Sequence, residues 1–224
     1  MAAEPSPRRA LTDPAHNISN LDALRDLYRQ PSLRVQQKKG QKVTGAAADF
    51  VARSPFFCLA SASPEGRCDV SPRGGPPGQI KILGDGEAVA FPDLSGNNLI
   101  DSLTNIVANP QAGLLVMVPG SDETLRIDGS AALTTDPSVL DLWANELRRP
   151  KLAVVVDVEA VFLHCAKAFR RSSLWDPDSW SDVDPTEAPR MFNAVTSGDS
   201  TDPSAMREFL EADYEATLTA ERPG

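Results

Sequence analysis

The chain has 224 residues, of which 41% are hydrophobic and 24% charged, a composition typical of a globular protein. No apolar run approaches the roughly 20 residues of a membrane helix, and no apolar core follows Arg8 and Arg9, so we expect neither a membrane span nor a secretory signal. From Asp176 onward, 12 acidic and 3 basic residues account for the whole net charge of −9. We therefore expect a cytoplasmic protein and, without a basic stripe containing aromatic residues, no nucleic-acid partner.

The N-terminal part of the chain is expected to begin without structure and to continue in two helices. Residues 1–17 are rich in Pro, Ala and Arg and are predicted to be disordered. Ser19 or Asn20 can cap a first helix, because leucines follow at helical spacing. A second helix is predicted over residues 45–53.

The next hundred residues are predicted to be mainly β-strands. Apolar or alternating runs separated by turn residues occur in "FFCLASAS", "CDVSP", "QIKILG", "EAVAFP", "GLLVMVPG", "TLRIDGSAAL" and "KLAVVVDVEAVFLHC". Six or seven strands at hairpin-like spacing favour an antiparallel barrel or sandwich with flanking helices, an α+β protein that is mainly β. Between two of the strands, the Gly- and Pro-rich stretch "DVSPRGGPPG" is interpreted as a loop that carries one cation, Arg73.

A possible anion site follows the strand "EAVAFP". The segment "SGNNLIDSLTNIVANP" is predicted to form a helix capped near Ser95 or Asn97, and a helix N-terminus presents unpaired N–H groups that suit a phosphate. Lys81, on the preceding strand, could lie nearby. The alternative interpretation is that Ser95 or Asn97 only caps its own helix and that Arg73 is a solvated cation.

Three further segments complete the prediction. Asp136 is expected to cap a helix with an apolar stripe that includes Trp143, and "PSAMREFLEADYEATL" is expected to form an amphipathic helix at the end of the acidic tail. In "HCAKAFRRSSLW", Arg170 and Arg171 lie beside Trp175. These residues could form a wall for a planar anionic ligand, or a solvated basic turn next to a core tryptophan.

The inventory of possible metal ligands is small. The three cysteines form no C-x-x-C motif, and the two histidines, His16 and His164, lie far apart in the sequence. We therefore expect no metal site. No general base can be named, since His164 at a strand end is equally well explained as a structural residue.

Three long stretches of the sequence together resemble one family. They are "SPFFCLASASPEGRCDVSPRGGPPG", "GNNLIDSLTNIVANPQAGLLVMVPGSDETLRIDGSAALTTDP" and "FLHCAKAFRRSSLWDP", and they occur in the expected order. Across residues 18–177 the chain resembles the pyridoxamine 5′-phosphate oxidase superfamily of FMN-binding split-barrel proteins, in particular its bacterial branch of FMN-dependent enzymes.

The resemblance implies a six-stranded antiparallel split β-barrel over residues 18–177, with residues 178–224 as an acidic extension that ends in the amphipathic helix. It also implies a homodimer with FMN at the subunit interface and an oxidoreductase activity on a small molecule. Fold membership does not fix the substrate.

The resemblance also implies positions for the cofactor. Residues of the strand and loop region face FMN, the start of the helix holds its phosphate, and the C-terminal segment closes the site, often from the other subunit. On this chain the implied positions are Arg73, Gln79, Lys81, Pro92, Asp93, Asn97, Asn98, Arg171 and Trp175.

The chain departs from the family pattern in one place. Pyridoxamine 5′-phosphate oxidases carry an Arg-Lys pair where this chain has Asn97 and Asn98, and the turn from Ser95 to Asp101 contains no cation. One fewer charge-assisted bond to a phosphate costs on the order of 1.5–3 kcal/mol. Two alternatives therefore stand beside an FMN enzyme. One is a flavin-binding protein without turnover. The other is an enzyme that uses the same pocket for haem, a deazaflavin or a specialised metabolite.

Overall fold

The computed structural model describes residues 13–196 and 202–223 and divides the chain into two compact units, Met1–Lys38 and Lys39–Gly224. In the first unit, helix α1 (Leu21–Asp26) begins after Asn20, whose side chain accepts a hydrogen bond from the Ala23 N–H. This confirms one of the two predicted caps. Helix α2 (Leu33–Gln36) follows. Of the segment predicted to be disordered, residues 1–12 lie outside the described residues, and a short 3₁₀ turn covers Pro14–His16.

The second unit is built on one antiparallel sheet of seven strands in the order β2-β1-β5-β6-β7-β4-β3. The strands are β1 (Phe56–Ala62), β2 (Cys68–Gly74), β3 (Lys81–Leu83), β4 (Ala88–Pro92), β5 (Gln111–Met117), β6 (Thr124–Thr134) and β7 (Ala153–His164). The α+β prediction, mainly β with flanking helices, is confirmed.

The predicted six-stranded barrel is wrong in its strand number and in its closure. The resemblance implied six strands, and the seven observed match the upper number favoured by the sequence runs. The short strand β3 and β4 form a hairpin from two of those runs, because Gly84, Asp85 and Gly86 all adopt positive φ and turn the chain back tightly. Among the described residues, the main-chain ladder leaves β2 and β3 as edge strands, so the sheet is not closed by hydrogen bonds.

The sheet nevertheless curls until its two ends meet. Strands β1 and β4 are four positions apart, which is about 19 Å in a flat sheet. The Phe57 ring on β1 and the Phe91 ring on β4 lie edge to face with their centroids 4.9 Å apart, and both side chains are buried. Because contact at this distance requires strong curvature, the core lies inside the curled sheet.

A β-bulge supplies part of this curvature. The pairing of β6 with β7 shifts by one residue at Asp128/Gly129, and a bulge bends its strand and increases the local twist. At Gly129 a Cβ atom would lie 1.9 Å from the carbonyl oxygen of Asp157, so the strands approach too closely there for any side chain.

Helices cover the faces and ends of the sheet. Helix α3 (Ala46–Arg53) confirms the helix predicted over residues 45–53, and it buries Phe50 and Val51. Helix α4 (Asp101–Ala108) packs on β1, β2 and β6. Its predicted cap near Ser95 or Asn97 is wrong, because the helix begins only at Asp101.

The late start of α4 has a local cause. The Asn97 Oδ1 accepts a hydrogen bond from the Leu99 N–H, a turn that competes with helix formation. Asn98 and Ile100 then adopt left-handed backbone angles, with φ of 59° and 53°. The helix therefore cannot extend back through this turn.

Helix α5 (Pro137–Leu140) is capped as predicted by Asp136, which accepts hydrogen bonds from the Ser138 hydroxyl and N–H. These bonds lower the pKa of Asp136, the hydroxyl contributing most. The 3₁₀ turn that follows buries Trp143 completely, and the Trp143 indole N–H donates to the Gln79 carbonyl at 2.8 Å. The turn is thereby fixed against the segment before β3.

Among the described residues, three helices follow the sheet: α6 (Lys167–Ser172), α7 (Glu187–Val195) and α8 (Pro203–Ala220). The predicted C-terminal helix is confirmed, and Asp202 caps it through the Ala205 N–H. Helix α8 packs against α7 and has no fully buried residue. In the described part of the chain, no helix is both long and apolar enough to cross a membrane.

The close approach of the strands at the bulge predicts that adding one methyl group at residue 129 destabilises the fold. Gly129→Ala should lower the free energy of unfolding by about 3 kcal/mol, because the backbone of Asp157 cannot move aside without disturbing the sheet. Gly96→Ala is the control, since a Cβ there meets no atom within 4 Å. Urea unfolding followed by circular dichroism compares the two variants. Equal midpoints would show that the close approach at the bulge is not a constraint.

Candidate functional site

Strand β2 presents a row of polar side chains on the face that looks toward the core. Asp69, Ser71 and Arg73 alternate with exposed residues and are half-buried, and the register pairs Arg73 with Phe57 of β1. Directly paired residues of antiparallel strands share a face. Arg73 therefore lies in a strand rather than in the predicted loop, and only residues 75–78 of that stretch remain outside secondary structure.

A directed chain of hydrogen bonds links this row to helix α4. The Ser102 hydroxyl donates to Asp69 Oδ2 at 2.5 Å. Because its one proton is used there, the Ser71 hydroxyl must be the donor in the 3.0 Å contact between Ser71 and Ser102. The Arg73 Nε in turn donates to the Ser71 Oγ at 3.2 Å. These contacts fix the guanidinium of Arg73 in position.

Arg73 also bridges the gap between the two ends of the sheet. Its Nη1 lies 3.1 Å from Oδ1 of Asp93, directly after β4, and the two side chains are 21% and 24% exposed. The Asp93 N–H donates to the Leu152 carbonyl and continues the β4–β7 pairing beyond Pro92, which is buried. The structure thus brings together the predicted residues Arg73, Pro92 and Asp93.

Gln79 is buried behind the loop that follows β2 and is 2% exposed. Its side-chain amide donates to the Pro55 carbonyl at 3.0 Å, and a Cβ on Gly75 would lie 2.7 Å from its Oε1. The Gly75 N–H donates to the same Pro55 carbonyl. In this arrangement Gln79 supports the loop after β2 from inside.

Lys81 forms an ion pair with Glu146. Its Nζ lies 2.6 and 2.7 Å from the two carboxylate oxygens of Glu146, in the segment after Trp143. The Lys81 side chain is 21% exposed. Both predicted cations of the strand region are thus paired with acidic side chains.

The turn before α4 places Asn97 and Asn98 at the surface, where both are exposed. At its start, the Ser95 N–H donates to Oε1 of Glu221 at 2.7 Å. Glu221 follows α8, and its backbone carbonyl accepts a hydrogen bond from the Arg148 N–H. A carboxylate of the C-terminal extension therefore binds the turn that was predicted to hold a phosphate.

Arg171 and Trp175 belong to a separate cluster. The Trp175 indole N–H donates to the Ser121 carbonyl, the Trp175 ring stacks on Phe169, and Arg171 is exposed. Arg170 pairs with Asp122 at 2.9 Å. This cluster lies beside the β5–β6 connection, and β1 and β5 separate β2 from β6 in the sheet. Within one chain the structure does not bring these residues to Arg73.

Several polar residues of the site were not identified from the sequence. The alternation of Asp69, Ser71 and Arg73 is a period of two that could have predicted a polar strand face. Ser102, Glu146 and Glu221 contact partners that are 33, 65 and 126 residues away in sequence. No local pattern indicates contacts of that range.

The family model described as pyridoxamine 5′-phosphate oxidase matches residues 43–165, which contain the whole sheet. The chain belongs to the pyridoxamine 5′-phosphate oxidase family. No curated protein matches this chain.

Among solved structures, this family member is similar to a HupZ variant of Group A Streptococcus, with 14% identity, 55% of this chain and 99% of that chain covered, and a TM-score of 0.45. A pyridoxamine 5′-phosphate oxidase-related, FMN-binding protein of Nostoc punctiforme is 15% identical, with coverage of 54% and 83% and a TM-score of 0.42. HutZ, a haem storage protein of Vibrio cholerae, is 15% identical, with coverage of 54% and 94% and a TM-score of 0.39. These likenesses assign no ligand to this chain.

The hydrogen-bond chain predicts that Ser102 matters for stability although it is a small polar residue. Ser102→Ala removes the shortest hydrogen bond to the Asp69 carboxylate and the acceptor of the Ser71 hydroxyl proton, and should lower the free energy of unfolding by about 1–3 kcal/mol. Thr104→Ala, an exposed change on the same helix, should have little effect. Chemical denaturation measures the stability of both variants. If Ser102→Ala is as stable as Thr104→Ala, the hydrogen bonds of Ser102 do not stabilise the fold.

Proposed function

We propose that this protein binds FMN and is an FMN-dependent oxidoreductase that acts on a small molecule in the cytoplasm. The chain is a member of this family, and the observation that supports the proposal is the position of Arg73. The Arg73 guanidinium is half-buried and fixed by hydrogen bonds at the gap where the ends of the curled sheet meet. In this proposal residues 18–177 form an FMN-binding domain of the split-barrel type, and residues 178–224 form an extension.

Three donors of the chain fit a phosphate group in kind. The guanidinium of Arg73, the ammonium of Lys81 and the backbone N–H of Ser95 are each bonded to a carboxylate oxygen in the structure. A phosphate oxygen is also an anionic acceptor and can replace a carboxylate at such donors. FMN binding would therefore exchange internal acceptors for those of the ligand.

The residues of the chain would bind and orient the cofactor. Arg73 and Lys81, with the side-chain amides of Asn97 and Asn98, would hold the phosphate. The backbone at Pro92 and Asp93 would contact the flavin ring, and Gln79 would support the loop after β2. Bound FMN supplies electron-transfer chemistry that amino-acid side chains lack.

A homodimer would complete the site. Arg171 and Trp175 lie away from Arg73 within one chain, so a second copy would have to supply them to the same pocket. Arg171 is exposed and could then meet an acidic group of a substrate, while the stacked Phe169 and Trp175 rings offer a flat apolar surface. A site shared in this way is incomplete in a monomer.

A second candidate function has support of its own. The three proposed donors, the cations Arg73 and Lys81 and the Ser95 N–H, are bonded to three carboxylates, those of Asp93, Glu146 and Glu221. This charge balance disfavours a phosphate dianion and favours a pocket that takes another ligand, such as haem, a deazaflavin or a specialised metabolite. A flavin-binding protein without turnover is the remaining alternative, and it would bind FMN without oxidising or reducing a substrate.

Titration of the purified protein with FMN, followed by the visible spectrum, tests the proposal. The flavin absorbance should shift on binding, with a dissociation constant below tens of micromolar. Arg73→Ala should weaken binding about tenfold to a hundredfold, because one charge-assisted bond to the phosphate is lost.

Arg67→Ala is the matched control, since it removes an exposed cation from the turn of the same β1–β2 hairpin and should bind FMN like the parent. If the parent shows no flavin spectrum and no FMN binding at tens of micromolar, a weak regime, FMN is not the ligand. Equal binding by Arg73→Ala and the parent would remove Arg73 from the site.

A further inference from the structure

The end of helix α8 binds the body of the protein at one well-defined place. Oε1 of Glu221 accepts a hydrogen bond from the Ser95 N–H at 2.7 Å, and the Glu221 carbonyl accepts one from the Arg148 N–H at 2.8 Å. The first contact joins the extension to the turn that follows Asp93. The second joins it to the loop that also carries Glu146, the partner of Lys81.

This contact uses a donor that an anionic ligand would need. A backbone N–H is a single donor, so a carboxylate and a phosphate oxygen at Ser95 exclude each other. Within the turn from Ser95 to Asp101 no cationic side chain could compensate for the loss. While Glu221 is bound, the turn has one donor fewer for a phosphate.

The charge of the helix strengthens this exclusion. Between Asp202 and Glu221 the chain has six acidic residues and one basic residue, Arg207. The C-terminal end of a helix carries a partial negative charge, and it is this end that meets Ser95. A phosphate approaching the turn is therefore repelled as long as α8 is docked.

The helix is also held lightly enough to be displaced. None of its residues is fully buried, and Phe209, Tyr214 and Leu218 are more than half exposed. With so little apolar area buried, the polar contacts of Glu221 make up much of its attachment to the body. Elements with few buried contacts open at low free-energy cost.

We propose that α8 is a built-in competitor for the phosphate subsite: the Glu221 carboxylate occupies the Ser95 N–H, and a bound phosphate group releases the helix. This inference rests on the proposed function, since it concerns the same flavin site. It makes FMN affinity depend on a residue 126 positions away from the turn.

The test compares the full-length parent with Glu221→Ala, Glu221→Gln and Glu215→Gln in titrations with FMN and with riboflavin. Glu221→Ala should bind FMN about tenfold more tightly than the parent. Glu221→Gln should lie between the two, because its amide oxygen can still accept the bond but carries no charge. Glu215→Gln removes an exposed carboxylate of the same helix and should match the parent.

Riboflavin separates competition from general loosening. It lacks the phosphate, so its affinity should be the same in all four proteins. Tighter riboflavin binding by Glu221→Ala, or FMN binding equal to the parent, would overturn the competitor role while leaving FMN binding itself intact.

If neither the parent nor Glu221→Ala binds FMN, the flavin proposal fails, and inorganic phosphate then decides the inference. The amide resonance of Ser95 should shift with added phosphate, and at lower concentration in Glu221→Ala than in the parent. An amide that does not respond in either protein would overturn the inference as well.

Discussion

Phe57 on β1 packs against Phe91 on β4 and so holds the two ends of the curled sheet together. Edge-to-face packing of two rings contributes about 0.5–1.5 kcal/mol beyond the burial of their area, and here it joins strands that the sheet order places far apart. The bulge at Gly129 supplies part of the curvature that brings these strands together. Without this curvature, the end of β2 and the end of β4 would not meet.

The candidate site is a consequence of that incomplete closure. Main-chain hydrogen bonds do not join β2 to β3 or β4, so side chains bridge the gap instead, above all the ion pair of Arg73 and Asp93. An ion pair of partly exposed groups stabilises a fold weakly and can exchange its acceptor. The same pairing recurs at Lys81 and at Ser95, so a ligand anion has internal carboxylates to replace.

The elements of the fold could be predicted from the sequence because they depend on local patterns. The seven apolar or alternating runs and the caps at Asn20 and Asp136 are examples. The start of α4 was missed because a side-chain hydrogen bond of Asn97 competes with the helix. The partners of Arg73, Lys81 and Ser95 could not be predicted, since they depend on how a curled sheet brings distant loops together.

In the proposed site, Arg73 at the gap in the sheet binds the ligand, and Asp93 holds its guanidinium in the free protein. A crystal structure of the protein with FMN tests it most directly. We expect a phosphate oxygen within hydrogen-bond distance of the Arg73 guanidinium, with the 3.1 Å contact to Asp93 lengthened or lost. A structure with FMN bound elsewhere and the Arg73–Asp93 pair unchanged would contradict it.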